Sequence, residues 1–356
     1  MSSAPLHQPP ARILYLHAGP HKTASTYLQA RLQANRRRLE ARGLRYPTPW
    51  REASHRHLAR QLQAGRLEVL ELLLLRQRHW SGQVLLSAEH FAPLLSDPEA
   101  LGGLAAVSRR SGFALHVISF VRPQAELLDS FYAHGLARLY GGPTFAAYVR
   151  AQLAGRRPRS PARRRWMRMA PLALDYDRRF APLLAAGAPR SSFLPFRPRR
   201  CDPFPQLLQV LGLAEGDWRQ APADQANEQL GRRGLGLAFL LNQNLDGLSL
   251  PRQRLIADHG LNRLVERIRR LARRQGWVED RFSGWQQPLR ERLQRQLGAS
   301  NDRFARRVWE QGWQEVFPAA PQVGDGQGAL PLDAELQELA ASLFRAYRSR
   351  LPAALR

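Results

Sequence analysis

The chain has 356 residues, with 54 Lys or Arg against 29 Asp or Glu and a formal net charge of +25. Its 44% hydrophobic and 23% charged content is that of a globular chain, and 26 Gly with 26 Pro stay below the level of low complexity, which excludes a collagen-like or wholly disordered protein. Nearly all of the positive charge is arginine: an arginine-biased composition explains the total, but not the position of the only lysine, Lys22.

The start, Met1 to Arg12, has no basic n-region, and the apolar stretch behind it runs into His17, His21 and Lys22, so it does not read as a signal peptide. Residues 12 to 17 are apolar between Pro-rich sequence and Gly19-Pro20, which suits a short buried strand. From Ser25 the pattern changes to Leu28, Leu32 and Leu39, closing at Gly43, which is helical spacing with a glycine stop. Residues 58 to 80 carry Leu58, Leu62, Leu67, Leu70 and Leu74 at helical intervals. A strand is expected at Val84 to Ser87, a helix at Asp97 to Arg109, a strand at Leu115 to Val121 and an amphipathic helix at Gln124 to Tyr140. Strands alternating with helices predict an α/β fold, a central parallel sheet flanked by helices.

Residues 151 to 200 break this rhythm, with 13 Arg against Asp175 and Asp177, and read as a basic loop region. A further strand is expected at Ser192 to Phe196, and beyond it a helical C-terminal part with helices at Leu230 to Leu245, Leu261 to Leu271, Leu289 to Leu297 and Leu336 to Tyr347. No linker cuts the chain, so residues 1–356 are expected as one domain: a core at 12–140, the basic region and another core strand at 141–200, and a mainly helical part at 201–356. No apolar run approaches the roughly 18 residues of a membrane span. The single cysteine, Cys201, has no partner for a disulfide, which suits a reducing compartment and a cytoplasmic location. The ten His residues are scattered without metal-ligand spacing, and no metal is expected.

The chemistry concentrates in Gly19-Pro20-His21-Lys22-Thr23-Ala24-Ser25-Thr26, between the first strand and the first helix. Such a loop offers backbone N–H groups, hydroxyls and one ammonium to a bound phosphate, with the helix dipole behind them. It is not a Walker A loop, because His21 stands where a glycine must precede the lysine, which disfavours an ordinary P-loop kinase or ATPase. Strand, loop and helix together resemble the 5′-phosphosulfate loop of sulfotransferases that use 3′-phosphoadenosine 5′-phosphosulfate (PAPS). A second element is similar to the same family: a strand ending in Arg122, then Ser130 eight residues later in Leu127-Leu128-Asp129-Ser130-Phe131-Tyr132. The resemblance implies that Arg122 and Ser130 hold the 3′-phosphate of the nucleotide, and that Gly19, His21, Lys22, Thr23, Ala24, Ser25 and Thr26 surround its 5′-phosphosulfate. It also implies a P-loop-like, three-layer sulfotransferase domain with a nucleotide-binding core.

Further stretches resemble bacterial members of the family: Ser192 to Arg197 followed by Asp202-Pro203-Phe204 to Leu213, Asn227 to Asn242, and Ser300-Asn301-Asp302-Arg303-Phe304. The resemblance spans most of residues 12 to 317, and only the two phosphate motifs are specific. Ala24 stands where glycine is common, and Tyr27 where many members carry an adenine-stacking tryptophan, which implies the same cofactor-stacking role for its ring. Family members take their general base from the end of a strand between the two phosphate motifs. Here Ser87 is followed by Ala88-Glu89-His90, and both residues are candidates. Strand alternation would point them to opposite faces, so only one is expected at the cleft. Glu89 is preferred for its Ser-x-Glu context, with His90 second because its ordinary pKa suits the task.

The activity so implied is transfer of a sulfuryl group from PAPS to a hydroxyl or amine, by in-line displacement, with Lys22 neutralising the leaving phosphate. The acceptor is not identified: a carbohydrate, another small metabolite or a glycoconjugate would fit, an anionic glycan included, with specificity expected in the loops at 45–60 and 141–170. The rival readings are a non-enzymatic protein that binds nucleic acid or another polyanion through its charge, and a nucleotide-dependent kinase. No recognisable RNA- or DNA-binding motif or interleaved aromatic pattern supports nucleic acid.

Overall fold

The computed structural model describes residues 12–49, 52–155, 173–197, 202–213, 216–220, 229–248, 252–318 and 329–353. Cys201, Asn227 and most of the arginine-rich stretch, at 156–172 and 198–200, lie outside the described residues. The chain divides into two compact units, Met1–Arg122 with Asp175–Asp224 and Arg303–Phe317, and Pro123–Leu174 with Gln225–Asp302 and Pro318–Arg356.

The first unit is α/β. Its five strands are β1 (Arg12–His17), β2 (Leu44–Arg45), β3 (Gln83–Ser87), β4 (Phe113–Val121) and β5 (Arg190–Pro195), all parallel in the order β2-β3-β1-β4-β5. Register places Leu14 beside Val84 and Leu115, and His17 beside Ser87 and Ile118, so β1 and β3 end level at the carboxyl end of the sheet while β4 runs on to Val121. Both faces are covered, which is why the central strands read as nearly continuous apolar runs. On one face Leu14, Leu16, Val84, Leu86 and Val117 pack with α3 (Arg56–Gln63), α4 (Glu68–Leu75) and α5 (Pro98–Arg110). On the other face Tyr15, Leu85, Ile118 and Phe120 pack with α1 (Ser25–Ala34), α2 (Arg36–Ala41) and the helix Pro203–Val210.

The helix expected from Ser25 to Gly43 is interrupted. Asn35 turns its side-chain N–H back to the Arg31 carbonyl at 2.8 Å and its side-chain oxygen accepts from the Arg219 N–H at 2.8 Å, which breaks the run into α1 and α2. Leu28, Leu32 and Leu39 are nevertheless all buried, as the spacing predicts. The helical stretch expected at 58–80 is likewise two helices, α3 and α4, separated at Gly65 with φ 79°. Asp97 caps α5 by accepting from the Glu99 and Ala100 N–H groups. The two-residue edge strand β2 has no expectation in the sequence, being too short for any periodicity.

The second unit is helical in its described residues. It includes α6 (Gln124–Ala137), Phe145–Leu153, Gly231–Asp246, Arg252–Ala257, Leu261–Arg274, part of Gln287–Trp309, and Ala334–Arg348. Leu128, Leu136, Leu235, Leu241, Leu261, Ile268 and Leu336 form its core. The buried Asn242 ties this core together, accepting from the Gly141 N–H at 2.6 Å and donating to the Ala238 carbonyl at 2.8 Å. The stretch expected at 289–297 belongs to the longer helix Gln287–Trp309. Among the described residues no helix is long and apolar enough to cross a membrane.

Candidate active site

Three chain segments leave the carboxyl ends of β3, β1 and β4: Ala88-Glu89-His90, the loop Ala18 to Ala24, and Arg122. In an open parallel sheet, ligands bind outside the carboxyl ends of the strands where successive connections diverge, and β1 lies between its two later neighbours at such a point.

The loop after β1 is held in an uncommon backbone conformation. Lys22 and Ala24 both have positive φ, 67° and 61°, and Gly19 has φ 73°. A left-handed non-glycine residue costs about 1–2 kcal/mol, so two within three residues mark a conformation the surroundings impose. It also explains why glycine suits the position of Ala24. The imposing contacts are visible. Ser119 Oγ donates to the Gly19 carbonyl at 2.6 Å, Thr23 Oγ1 to the Pro20 carbonyl at 2.6 Å, and Arg122 Nη1 to the Lys22 carbonyl at 2.9 Å. Arg122 is braced in turn, its own carbonyl accepting from the Tyr176 hydroxyl at 2.7 Å.

With those carbonyls engaged, the loop delivers the open start of α1. No side chain caps this helix, and its first internal bond runs from the Leu28 N–H to the Ala24 carbonyl at 2.9 Å. The N–H groups of Ser25, Thr26 and Tyr27 therefore have no intrahelical acceptor. Ser25 is buried, and its hydroxyl has no hydrogen-bond partner among the described residues. A buried hydroxyl left unmade costs about 1–3 kcal/mol, which an oxyanion at the helix start would recover. Thr26 is exposed, and Lys22 and His21 flank the same end, half-buried and exposed respectively.

Glu89 stands beside this loop. Its backbone packs so closely on Gly19 that a Cβ there would lie 3.0 Å from Glu89 Cα. Glu89 Oε1 is 3.9 Å from His21 Nδ1 and 3.5 Å from His90 Nδ1, and Oε2 accepts from Gln29 Nε2 at 3.2 Å. Burial pushes this carboxyl up, but its own backbone N–H, His21, Gln29 and His90 together hold it below the ordinary carboxylate value. It is therefore an ionised acceptor at neutral pH. Burial lowers the His90 pKa, against the pull of Glu89, and Arg60 and Arg56 lower it further, so His90 is neutral there. Partial desolvation of its ring against Glu89 and His90 lowers His21 as well, although the residue keeps an exposed face, with Glu89 opposing.

The expectation that Glu89 and His90 diverge to opposite faces is corrected. The strand ends at Ser87, and a 3₁₀ helix, Glu89–Ser96, begins at once, so strand alternation no longer applies. Both side chains meet His21, the His21 and His90 rings lying 5.1 Å apart and edge to face. Two other assignments are refined. The Thr23 hydroxyl is spent on the Pro20 carbonyl, which leaves its role inside the loop. The Tyr27 hydroxyl accepts from Arg31 Nη1 at 2.7 Å, and its ring borders the core beneath α1. Ser130 belongs to the second unit, half-buried on α6.

Sequence reasoning missed Gln29, Ser87, Ser119 and Tyr176. A glutamine between Leu28 and Leu32 on the buried stripe of a helix was the one available signal. A hollow of about 370 Å³ beside β5, lined by Ser192, Phe193, Val210 and Arg307 among others, contains none of the predicted site residues. Among the described residues no group of three or more His, Cys, Asp or Glu side chains is placed to hold a metal. No protein-family model, no curated protein and no solved structure matches the chain.

Proposed function

We propose that the chain is a PAPS-dependent sulfotransferase with a P-loop-like nucleotide site, acting on a hydroxyl or amine of a small acceptor or glycoconjugate. The observation that carries this reading is the buried Ser25 hydroxyl, without a hydrogen-bond partner among the described residues, at the uncapped start of α1, in the same loop-to-helix segment as the only lysine in the chain. The donor supplies a sulfuryl group on a phosphate leaving group. Ser25, Thr26 and the first N–H groups of α1 bind the 5′-phosphate; Arg122, by family resemblance, binds the 3′-phosphate. Glu89 accepts the proton of the attacking hydroxyl as the new O–S bond forms. Lys22 neutralises the charge gathering on the bridging oxygen as the old S–O bond breaks, and the electron pair departs with the nucleotide bisphosphate. A compact ammonium reaches a single bridging oxygen where the planar fork of arginine fits poorly, a physical reason for one lysine among so many arginines. Positioning and charge supply most of the effect. The lone Cys201 suits a reducing compartment, and we place the protein in the cytoplasm.

Incubation of the full chain with sulfur-labelled PAPS, EDTA and a panel of hydroxyl acceptors tests this reading. Label transfer without metal is expected. Turnover of Mg-ATP with none of PAPS would replace it with a kinase. Binding of polyanions alone, lost steeply with salt, would replace it with a charge-driven binding protein.

A further inference from the structure

Beneath the loop lies a buried polar chain that the reaction steps above leave unused. His17 ends β1, Ser87 ends β3, Gln29 lies in the second turn of α1 and His55 precedes α3; all four are buried. Polar groups in such a place are costly unless bonded to one another, and these are linked through Nδ1 of each histidine, the Ser87 hydroxyl and backbone, and the Gln29 amide. His17 Nδ1 lies 2.7 Å from Ser87 Oγ. The Ser87 N–H donates to His55 Nδ1 at 3.0 Å, and the His55 N–H donates to the Ser87 carbonyl at 2.9 Å. Gln29 Nε2 is 3.4 Å from Ser87 Oγ and 3.2 Å from Glu89 Oε2.

Proton bookkeeping gives this chain a direction. A carboxylate only accepts, so the Gln29 amide must turn its nitrogen to Glu89. Burial pushes the His17 pKa down to about 4, so the ring is neutral near pH 7 and its Nδ1 pairs with the Ser87 hydroxyl as donor or acceptor according to its tautomer. In either tautomer the Ser87 oxygen keeps a lone pair to accept from Gln29. Resting on the sulfotransferase reading, we infer that Gln29 is the positioning residue of the Glu89 base: anchored on Ser87, it pins Oε2 and leaves Oε1, on the His21 and His90 side, to take the acceptor's proton. The charged and titratable groups around that carboxylate are His21 from the loop, with Lys22 and Arg179 acting on it, His90 from its own helix, with Arg56 and Arg60 acting on it, His17 from β1, and Tyr46 after β2.

The test is Gln29→Met in the full chain, which keeps the volume and removes the donor. Three quantities are read: the titration of the Glu89 carboxyl by ¹³C NMR, assigned by its loss in Glu89→Gln; the pH–rate profile for transfer from PAPS to 4-nitrophenol; and the affinity for adenosine 3′,5′-bisphosphate. In Gln29→Met the carboxyl titration and the acid limb of the rate profile are expected to move up together. kcat is expected to fall roughly 10- to 100-fold, the equivalent of one hydrogen bond to a charged group, while bisphosphate affinity changes less than about twofold. Ser87→Ala removes the anchor and is expected to shift both in the same direction by less; it decides the matter if Gln29→Met does not fold. Unmoved titration and an unmoved acid limb overturn the inference. A wild-type chain that neither binds the bisphosphate nor transfers sulfur sinks the sulfotransferase reading instead, while the NMR titration still reports whether Gln29 holds Glu89.

Discussion

Gly19→Ala measures how closely the strand end carrying Glu89 is pressed against the loop. Two effects add. Gly19 has φ 73°, where an alanine costs about 1–2 kcal/mol relative to a right-handed conformation. The added Cβ would also sit 3.0 Å from Glu89 Cα, 3.2 Å from its Cβ and 3.2 Å from its carbonyl oxygen. None of these is the tip of a flexible side chain, so backbone must move, at a cost of about 1–3 kcal/mol. The sum, roughly 2–5 kcal/mol, is a large part of the stability of a single domain. Gly65→Ala provides the internal control, because Gly65 has nearly the same φ, 79°, and nothing within 4 Å of its Cβ position. Urea unfolding of both variants, followed by tryptophan fluorescence, should show Gly19→Ala less stable than Gly65→Ala by about 1–3 kcal/mol, the contact alone. Equal losses in the two would refute the close approach of Glu89 to the loop.

Lys22→Ala should lower transfer by roughly 10²–10³-fold with the fold intact, and Lys22→Arg should recover little of it; near-wild-type turnover in the arginine variant would refute the single-oxygen argument. Because Lys22 has φ 67°, Lys22→Gly should be inactive yet more stable by about 1 kcal/mol in the same urea assay. Glu89→Gln should abolish the acid limb of the pH–rate profile, whereas His90→Ala, removing a ring already neutral near pH 7, should leave that limb in place; equal small losses would put the base elsewhere. Burial holds the buried His17 and His55 rings down to about 4, against 6.5 in the unfolded chain. The unfolded state therefore binds protons that the folded state refuses. Stability should be fully present above pH 6.5 and fall progressively toward pH 4, and a flat unfolding free energy between pH 6.5 and 5 would contradict the burial of both rings.

How far the sequence discloses this arrangement depends on the range of the interaction involved. The strand into His17, the loop and the leucine stripe Leu28, Leu32 and Leu39 are local patterns, and they are legible. The break at Asn35 is not, because it depends on the Arg219 N–H, 184 residues away. β2 exists through its pairing with Gln83 and Val84 rather than through its own two residues. The turn after Ser87 matters most for the site. Strand alternation stops at Ser87, where the expected strand ends, and the 3₁₀ helix that begins at Glu89 then brings Glu89 and His90 to the same His21. The support beneath Glu89 was hidden for a related reason. His17 and Ser87 become neighbours only through the β1–β3 register, and Gln29 joins them only because α1 covers that face of the sheet.

The central claim is a nucleotide sulfate site built on Ser25 and Lys22 at the start of α1. Calorimetric titration of the full chain with adenosine 3′,5′-bisphosphate in EDTA tests it most directly. Saturable binding to one site is predicted, weakened at least about tenfold in Lys22→Ala and in Ser25→Ala, since each removes a charge-assisted contact to phosphate. No saturable heat, or binding indifferent to both substitutions, would contradict it.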